Sequence, residues 1–384
     1  MKLIRTITAF LTLQLCIGTA CRPIYREKPE QRFSRIGRVV QEEIEKGNFP
    51  GAVVLVGKQN DILYWEAFGR EVIEPFEEPI DKRTVFDIAS MTKPIATAAS
   101  IMILVDRKEI ELDDYVGEYL PAFACNGKEE VRIRHLLTHT SGLPAYTNAI
   151  ALKEQFGNPC PEGVIEKICG FEAVSKPGEE FRYSCLGYIT LAKIVEVVSG
   201  RSIGDFSRQN IFTRLGLKKT AYNPPDSWDK NIAATEIVDG QLLRGTVHDP
   251  LARLMAGSSG NAGLFSNAYD LSIYCRMLLK DGVWKGRRIL SPEAVDMLTK
   301  EQSHGRAYGF DVSSAYSWVK GAHASREAFC HTGYTGTSIV CDPASEVFVI
   351  ILTNRVHPND EGSVKPVRKK IADIVFCSMY EEHD

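Results

Sequence analysis

Strand-forming segments lie toward the two ends of this 384-residue chain, and helix-forming ones fill the middle. Ala52-Val53-Val54-Leu55-Val56 is a continuous apolar run rich in β-branched residues. Gln59-Asn60-Asp61 turns it back into Ile62–Phe68. Near the other end, Ala328–His331, Ser338–Cys341 and Val347–Leu352 repeat the pattern, punctuated by Gly333, Gly336 and Asp342-Pro343. A two-stranded hairpin is barely stable alone, so both sets are expected in one antiparallel sheet. The middle of the chain then becomes an insertion. The predicted fold class is α+β: an antiparallel sheet flanked by helices, with an inserted all-helical lobe.

The helices support that division. Phe33, Ile36, Val39, Val40 and Ile44 form one stripe of an amphipathic helix over residues 30–46, ended by Gly47 to Gly51. Thr84–Ile88 is extended, and from Ser90 the period turns helical through Val105. Leu186–Val198 is a clear helix with Ser199-Gly200 as its stop, and further helices cover Tyr269–Leu279, Pro292–Leu298 and Lys365–Tyr380. Residues 24–105 with 266–384 are therefore assigned to the sheet lobe and 106–265 to the helical lobe. Their junction is the natural place for a ligand.

The first 21 residues read as a targeting segment. Lys2 and Arg5 precede an apolar run, Ile7 to Ile17, too short for a spanning helix, and Gly18-Thr19-Ala20 suits a signal peptidase. The expected location is outside the cytoplasm. Cys21 follows at once, as in a bacterial lipobox, although Gly18 stands where Leu is usual. Lipidation of Cys21, with anchoring to a membrane, and simple cleavage both remain open. The chain holds 46 Lys and Arg against 49 Asp and Glu, a net charge of −3, which gives no electrostatic case for nucleic acid as main partner. Besides Cys16 and Cys21, eight cysteines are scattered without C-x-x-C spacing, and buried free thiols are expected rather than a disulfide framework or zinc site.

Ser90-Met91-Thr92-Lys93 opens a helix, where residues three apart share a face. The Ser90 hydroxyl needs a base, and the Lys93 amine can serve if apolar neighbours such as Ile88, Pro94 and Ile95 lower its pKa. Alone, S-x-x-K is a weak signal. Tyr183-Ser184-Cys185, just before the helix at Leu186, adds a phenol able to relay a proton. His331-Thr332-Gly333 lies on a late strand, and the N–H groups of Ser90 and Tyr334 are candidate oxyanion donors. His135 and His139 have i, i+4 spacing but lack the Glu of H-E-x-x-H, so core or capping hydrogen bonds are expected of them. His248 and Asp249 are read either as partners of each other or as part of the cleft rim. No metal or organic cofactor is called for.

In order, Ser90-x-x-Lys93, Tyr183-x-Cys185 and His331-Thr332-Gly333 resemble the serine β-lactamase and penicillin-binding protein superfamily, in its class C-like and esterase-like branch. Val85–Ser90, Leu112–Val116, Ile133–Leu143, Pro177-Gly178 and Tyr334-Thr335-Gly336 extend the likeness over roughly Arg35 to Phe376. Val247-His248-Asp249 and Gly260–Ser266 are similar to the group of exported N-acetylmuramyl-peptide amidases, which usually has His where Asn261 stands. The resemblance implies acyl transfer through Ser90, with Lys93 and Tyr183 moving protons. Cys185, His331, Thr332, Gly333, His248 and Asn261 are implied around the substrate. A small molecule or a peptidoglycan fragment is the implied substrate, and the oligomeric state is not readable.

Three departures bear on specificity. Cys185 stands where relatives have Asn or Asp, and a thiol is a poor substitute for an amide that grips a carbonyl. His331 stands where β-lactamases and transpeptidases have Lys, and histidine is mostly neutral at pH 7. Asn261 replaces the amidase His. These changes disfavour efficient β-lactam or D-Ala-D-Ala processing and leave ester or amide hydrolysis open. The competing expectations are a low-efficiency β-lactamase or carboxypeptidase, a small-ester esterase, and a non-catalytic binding module.

Overall fold

The computed structural model describes residues 33–380. The expected targeting segment and Cys21 lie outside these residues. Helix α1 (Ser34–Glu45) leads into strands β1 (Gly51–Lys58) and β2 (Ile62–Val72), followed by the short β3 (Glu78–Pro79). Strands β7 (Phe329–Thr332), β8 (Ser338–Asp342) and β9 (Val347–Thr353) come late in the chain. All six join one antiparallel sheet in the order β7-β8-β9-β1-β2-β3. The first strand pairs with the last, with Val54 opposite Ile351, and Val54 also faces Glu66 of β2. The α+β architecture expected from the two strand clusters is thus the one observed.

Strand period decides which residues face which layer. Val54 and Val56 pack with Val349 and Ile351 beneath α1 and the C-terminal helix Lys365–Tyr380. Val53 and Leu55 point the other way, into a larger core shared with Ile350, Leu352 and the helices of the middle segment. Buried on both faces as far as Gly57, β1 is free of polar side chains until the exposed Lys58, which is why it reads as a run rather than an alternation.

A second, three-stranded sheet lies outside the sequence expectation. Strand β4 (Phe86–Asp87) pairs with β6 (Leu264–Ser266), which pairs with β5 (Ala221–Tyr222). Strands of two or three residues carry no periodicity, so only the pairing defines them. This sheet brings the segment before Ser90 against Gly260–Ser266. The helix expected from Ser90 also differs in kind. It begins as a 3₁₀ turn, Ala89–Met91, continues as a π-helix over Lys93–Ala98, and becomes α-helical only in α2 (Ala99–Asp106). Pro94 has no N–H to give to an α-helical ladder, and its carbonyl accepts the Tyr274 hydroxyl at 3.0 Å. Such wide turns are frequent at functional sites.

Candidate active site

Ser90 sits on an elbow. The preceding residue, Ala89, has φ of +47°, a conformation uncommon for a residue with a Cβ. Buried Asp87 secures the bend: one carboxylate oxygen accepts the Ala89 N–H at 2.8 Å and the other the His248 N–H at 2.7 Å. The Ser90 N–H lies in the first turn of its 3₁₀ segment, where no intrahelical acceptor exists.

Lys93 is fully buried. Its ammonium donates to Ser90 Oγ at 3.0 Å, to the Asn261 carbonyl at 3.0 Å and to Cys185 Sγ at 3.6 Å. It also stands 5.0 Å from the centre of the Tyr183 ring, and the Tyr183 phenol makes side-chain contact with both Lys93 and Ser90. Residues remote in sequence therefore meet at one hydroxyl.

The electrostatics correct one premise of the sequence reading. Burial pushes the Lys93 amine down, but the anionic forms of Cys185 and Tyr183, with Asp249, push it up, and the balance lies above the ordinary lysine value. Burial also raises Tyr183 and Cys185, against the opposing pull of the Lys93 charge. The lysine is thus not an isolated, neutral base at rest. Lys93, Tyr183 and Cys185 titrate as a set, in which a proton leaving one group raises the affinity of the next.

The loop that carries Tyr183 is pinned from below. The Ser184 N–H donates to His139 Nδ1 at 3.0 Å, the Ser184 hydroxyl donates to the Pro144 carbonyl at 2.6 Å, and the Cys185 N–H reaches the Ala145 carbonyl at 2.8 Å. Ser184 caps helix α3 (Cys185–Ser199), so the Tyr183 and Cys185 side chains are held by a helix start. His135 takes the capping role expected of it, accepting the Arg132 N–H at 3.1 Å.

On the far wall, β7 ends in a turn stitched to the serine segment. The Thr335 hydroxyl donates to the Asp87 carbonyl at 2.7 Å and the Thr337 hydroxyl to the Ile88 carbonyl at 3.1 Å. Gly333 is required here, because a Cβ would lie 2.1 Å from Thr337 Oγ1 and 2.5 Å from the Ile88 oxygen. Ser90, Tyr183, His331, Thr332, Gly333 and Tyr334 all line one cleft of about 940 Å³. His331 is buried and its Nδ1 faces the Thr332 carbonyl at 2.9 Å. Burial, then the nearby charges of Arg306 and Lys93, hold its pKa well below the histidine norm, so it is neutral.

Two expected contributors are placed differently. Asn261 is fully buried and meets Lys93 through its main-chain carbonyl, while its side chain is engaged by Ser259 at 2.7 Å and Asp249 at 3.2 Å. His248 does not pair with Asp249. Its Nε2 lies 3.0 Å from Glu236, and its ring stacks on Tyr334 with centroids 5.8 Å apart, behind the residues that line the cleft. Sequence reasoning missed Arg306. Fully buried, it pairs with Asp311, and its guanidinium carbon lies 5.9 Å from the Tyr183 ring centre and 6.0 Å from that of Phe181. A single arginine in a glycine-rich stretch carries no motif that could have flagged it.

A family model described as Beta-lactamase matches residues 36–373. The chain is 32% identical over 363 residues to an N-acetylmuramyl-L-alanine amidase of Bacillus subtilis (strain 168), covering 85% of this chain and 82% of that protein. It is 28% identical over 392 residues to an Escherichia coli (strain K12) protein provisionally named a D-alanyl-D-alanine carboxypeptidase, covering 91% and 90%. Among solved structures, the fold is shared with EstCE1, a hydrolase with promiscuous acyltransferase activity, at a TM-score of 0.74 and 24% identity, covering 91% of this chain and 99% of that one. With a family match over nearly its whole described length, the chain belongs to the beta-lactamase family and is a serine hydrolase of amide or ester bonds.

Proposed function

We propose that the protein is an exported bacterial hydrolase that cleaves an amide in cell-wall-derived peptides or muramyl peptides through an acyl-serine intermediate. The observation that carries the reading is the buried Lys93 ammonium 3.0 Å from Ser90 Oγ, with Tyr183 beside both. The names of two relatives, an amidase of muramyl-L-alanine and a provisional D-alanyl-D-alanine carboxypeptidase, support the substrate class.

In this mechanism Ser90 Oγ attacks the scissile carbonyl as its proton passes into the Lys93–Tyr183 pair. The N–H groups of Ser90 and Tyr334 hold the oxyanion, each donor supplying roughly 3–4 kcal/mol. Tyr183 returns the proton to the leaving amine, and water, activated by the same pair, frees the acyl group from Ser90. Neutral His331 provides no fixed cation for a substrate carboxylate, and the Cys185 thiol faces Lys93 rather than offering an amide. Both features argue for peptide amides over β-lactams and free D-Ala-D-Ala termini.

The test is turnover of muramyl-peptide, D-amino-acid peptide, short-chain ester and β-lactam panels, with Ser90→Ala as the blank. Muramyl-peptide cleavage is expected to lead, and Ser90→Ala to remove it while thermal stability stays near wild type. Equal turnover by Ser90→Ala would refute the mechanism. A clear preference for β-lactams would refute the substrate class.

A further inference from the structure

A second cavity, of about 890 Å³, shares no lining residue with the cleft. It lies where β2, the segment around residues 213–219, the start of helix α4 (Ala268–Leu279) and the hairpin at residues 283–288 come together. Arg83, Arg214, Lys218, Lys219, Lys285 and Arg287 line it. None of the six makes an ion pair with a described residue. The two carboxylates present, Asp81 and Asp270, are occupied by neutral donors. Asp81 accepts the Arg83 N–H at 2.5 Å and the Asn231 side-chain amide at 3.1 Å, and Asp270 accepts the Lys219 N–H at 2.7 Å and the Thr220 hydroxyl at 2.9 Å. A chain whose formal charge is −3 thus gathers on one concavity six cations without an ion pair among the described residues, of which Arg214 donates to the Arg288 carbonyl at 2.8 Å and Lys219 and Lys285 lie 4.5 Å and 5.6 Å from the ring centres of Trp228 and Trp284. Such focusing raises the local concentration of an anion.

The same walls carry aromatic faces. Trp65 and Tyr269 stack with centroids 5.8 Å apart and an interplanar angle of 25°, and Tyr269 is 44% exposed. The Trp65 indole N–H is already used on the Lys82 carbonyl at 3.1 Å and one of its faces is covered by Tyr269, which leaves that ring its other apolar face. Trp284, with the Lys285 ammonium 5.6 Å from its ring centre on one side, also lines the cavity. Two rings this close leave no slot for a nucleobase, which would need roughly twice the ~3.5–4.0 Å contact distance. A concave wall also suits a bilayer poorly. One-sided packing of C–H groups against aromatic faces, with acid groups on surrounding cations, is the chemistry by which sugars bearing phosphate or carboxylate are held.

We propose that this cavity is a binding site for an anionic oligosaccharide, separate from the acyl-transfer cleft. It does not depend on the chemistry at Ser90. Its ligand has two sources, a phosphorylated glycan or a uronic-acid glycan, which share the required features.

The experiment is calorimetry, with tryptophan fluorescence in parallel, on the full chain at low ionic strength. The probes are tetragalacturonate, a mannose-6-phosphate oligosaccharide, neutral maltotetraose, inorganic polyphosphate, AMP and phosphatidylglycerol vesicles. At least one anionic saccharide is expected to bind with fluorescence change, at least tenfold more tightly than maltotetraose. Whichever of the two binds more tightly identifies the source. Arg83→Gln with Arg287→Gln, and separately 0.5 M salt, are each expected to weaken it about tenfold, as counterions screen exposed charges. Trp284→Ala is expected to weaken the saccharide at least fivefold and leave polyphosphate unaffected. Unchanged Ser90-dependent ester hydrolysis in these variants serves as the folding control. Binding of none of the probes, or tighter binding of polyphosphate, AMP or vesicles than of either anionic saccharide, would overturn the proposal.

Discussion

The Lys93 ammonium has a thiol, not a carboxylate or an amide, 3.6 Å away, and this makes Cys185 a direct probe of the base. Cys185→Asp sets a negative charge at about that distance. Coulomb attraction there amounts to about 1–5 kcal/mol between water-like screening and an effective dielectric of about 20, or about 1–3 pKa units. A carboxylate stabilises the ammonium, so the neutral amine is reached only at higher pH. The acid limb of the kcat/KM profile should therefore move up by about 1–3 units, and the rate at pH 7 should fall by about 10- to 10³-fold. Cys185→Asn carries no charge and removes the thiol whose anionic form raises Lys93, so that limb should stay in place or move down. The assay is the pH dependence of ester hydrolysis by wild type and both variants, with melting curves to confirm folding. An unmoved acid limb in folded Cys185→Asp, or an equal shift in Cys185→Asn, would refute the claim that Lys93 must lose its proton for Ser90 to attack.

Other outcomes follow from groups around the cleft. Arg306→Met leaves Asp311 buried without its cation, so a loss of roughly 3–5 kcal/mol is expected in denaturant melts, partly recovered when Asp311→Asn is added. His139 and His331 have pKa values held well below 6.5 by burial. A depressed histidine contributes stability that is full above its unfolded pKa and is lost as pH falls below it. The melting temperature should drop on acidification below about pH 6.5, and less steeply in His331→Gln. Gly333→Ala forces a Cβ against Thr337 and the Ile88 carbonyl, so about 1–3 kcal/mol of stability and most of the Ser90-dependent turnover should be lost together.

How much of this was visible in the sequence varied with the kind of interaction. Ser90 and Lys93 are neighbours on one helical start, so their meeting follows from local geometry. Tyr183 was legible because a loop–helix boundary frames it, β1, β8 and β9 because buried strands have a plain apolar signature, and half-buried β2 because the turn at Gln59-Asn60-Asp61 returns the chain beside β1. The π-helical turn at Lys93 was not, since Pro94 marks a disturbance without saying which wide turn results. Arg306 and the small sheet of β4, β5 and β6 depend on contacts between segments far apart, where no short-range pattern exists. The cation-lined cavity was hidden by an overall charge close to zero. Asn261 looked like a side-chain contributor, yet Lys93 meets its main-chain oxygen, which any residue would supply.

The pairing of β1 with β9 ties the site to the order of synthesis. The reactive hydroxyl is made well before the strand beside β1 and the turn that braces Ile88, which follow it by more than two hundred residues. Long-range pairings of this kind form late in folding. A nascent chain that has not yet made β7 to β9 therefore holds a serine without its brace and a cleft without its far wall.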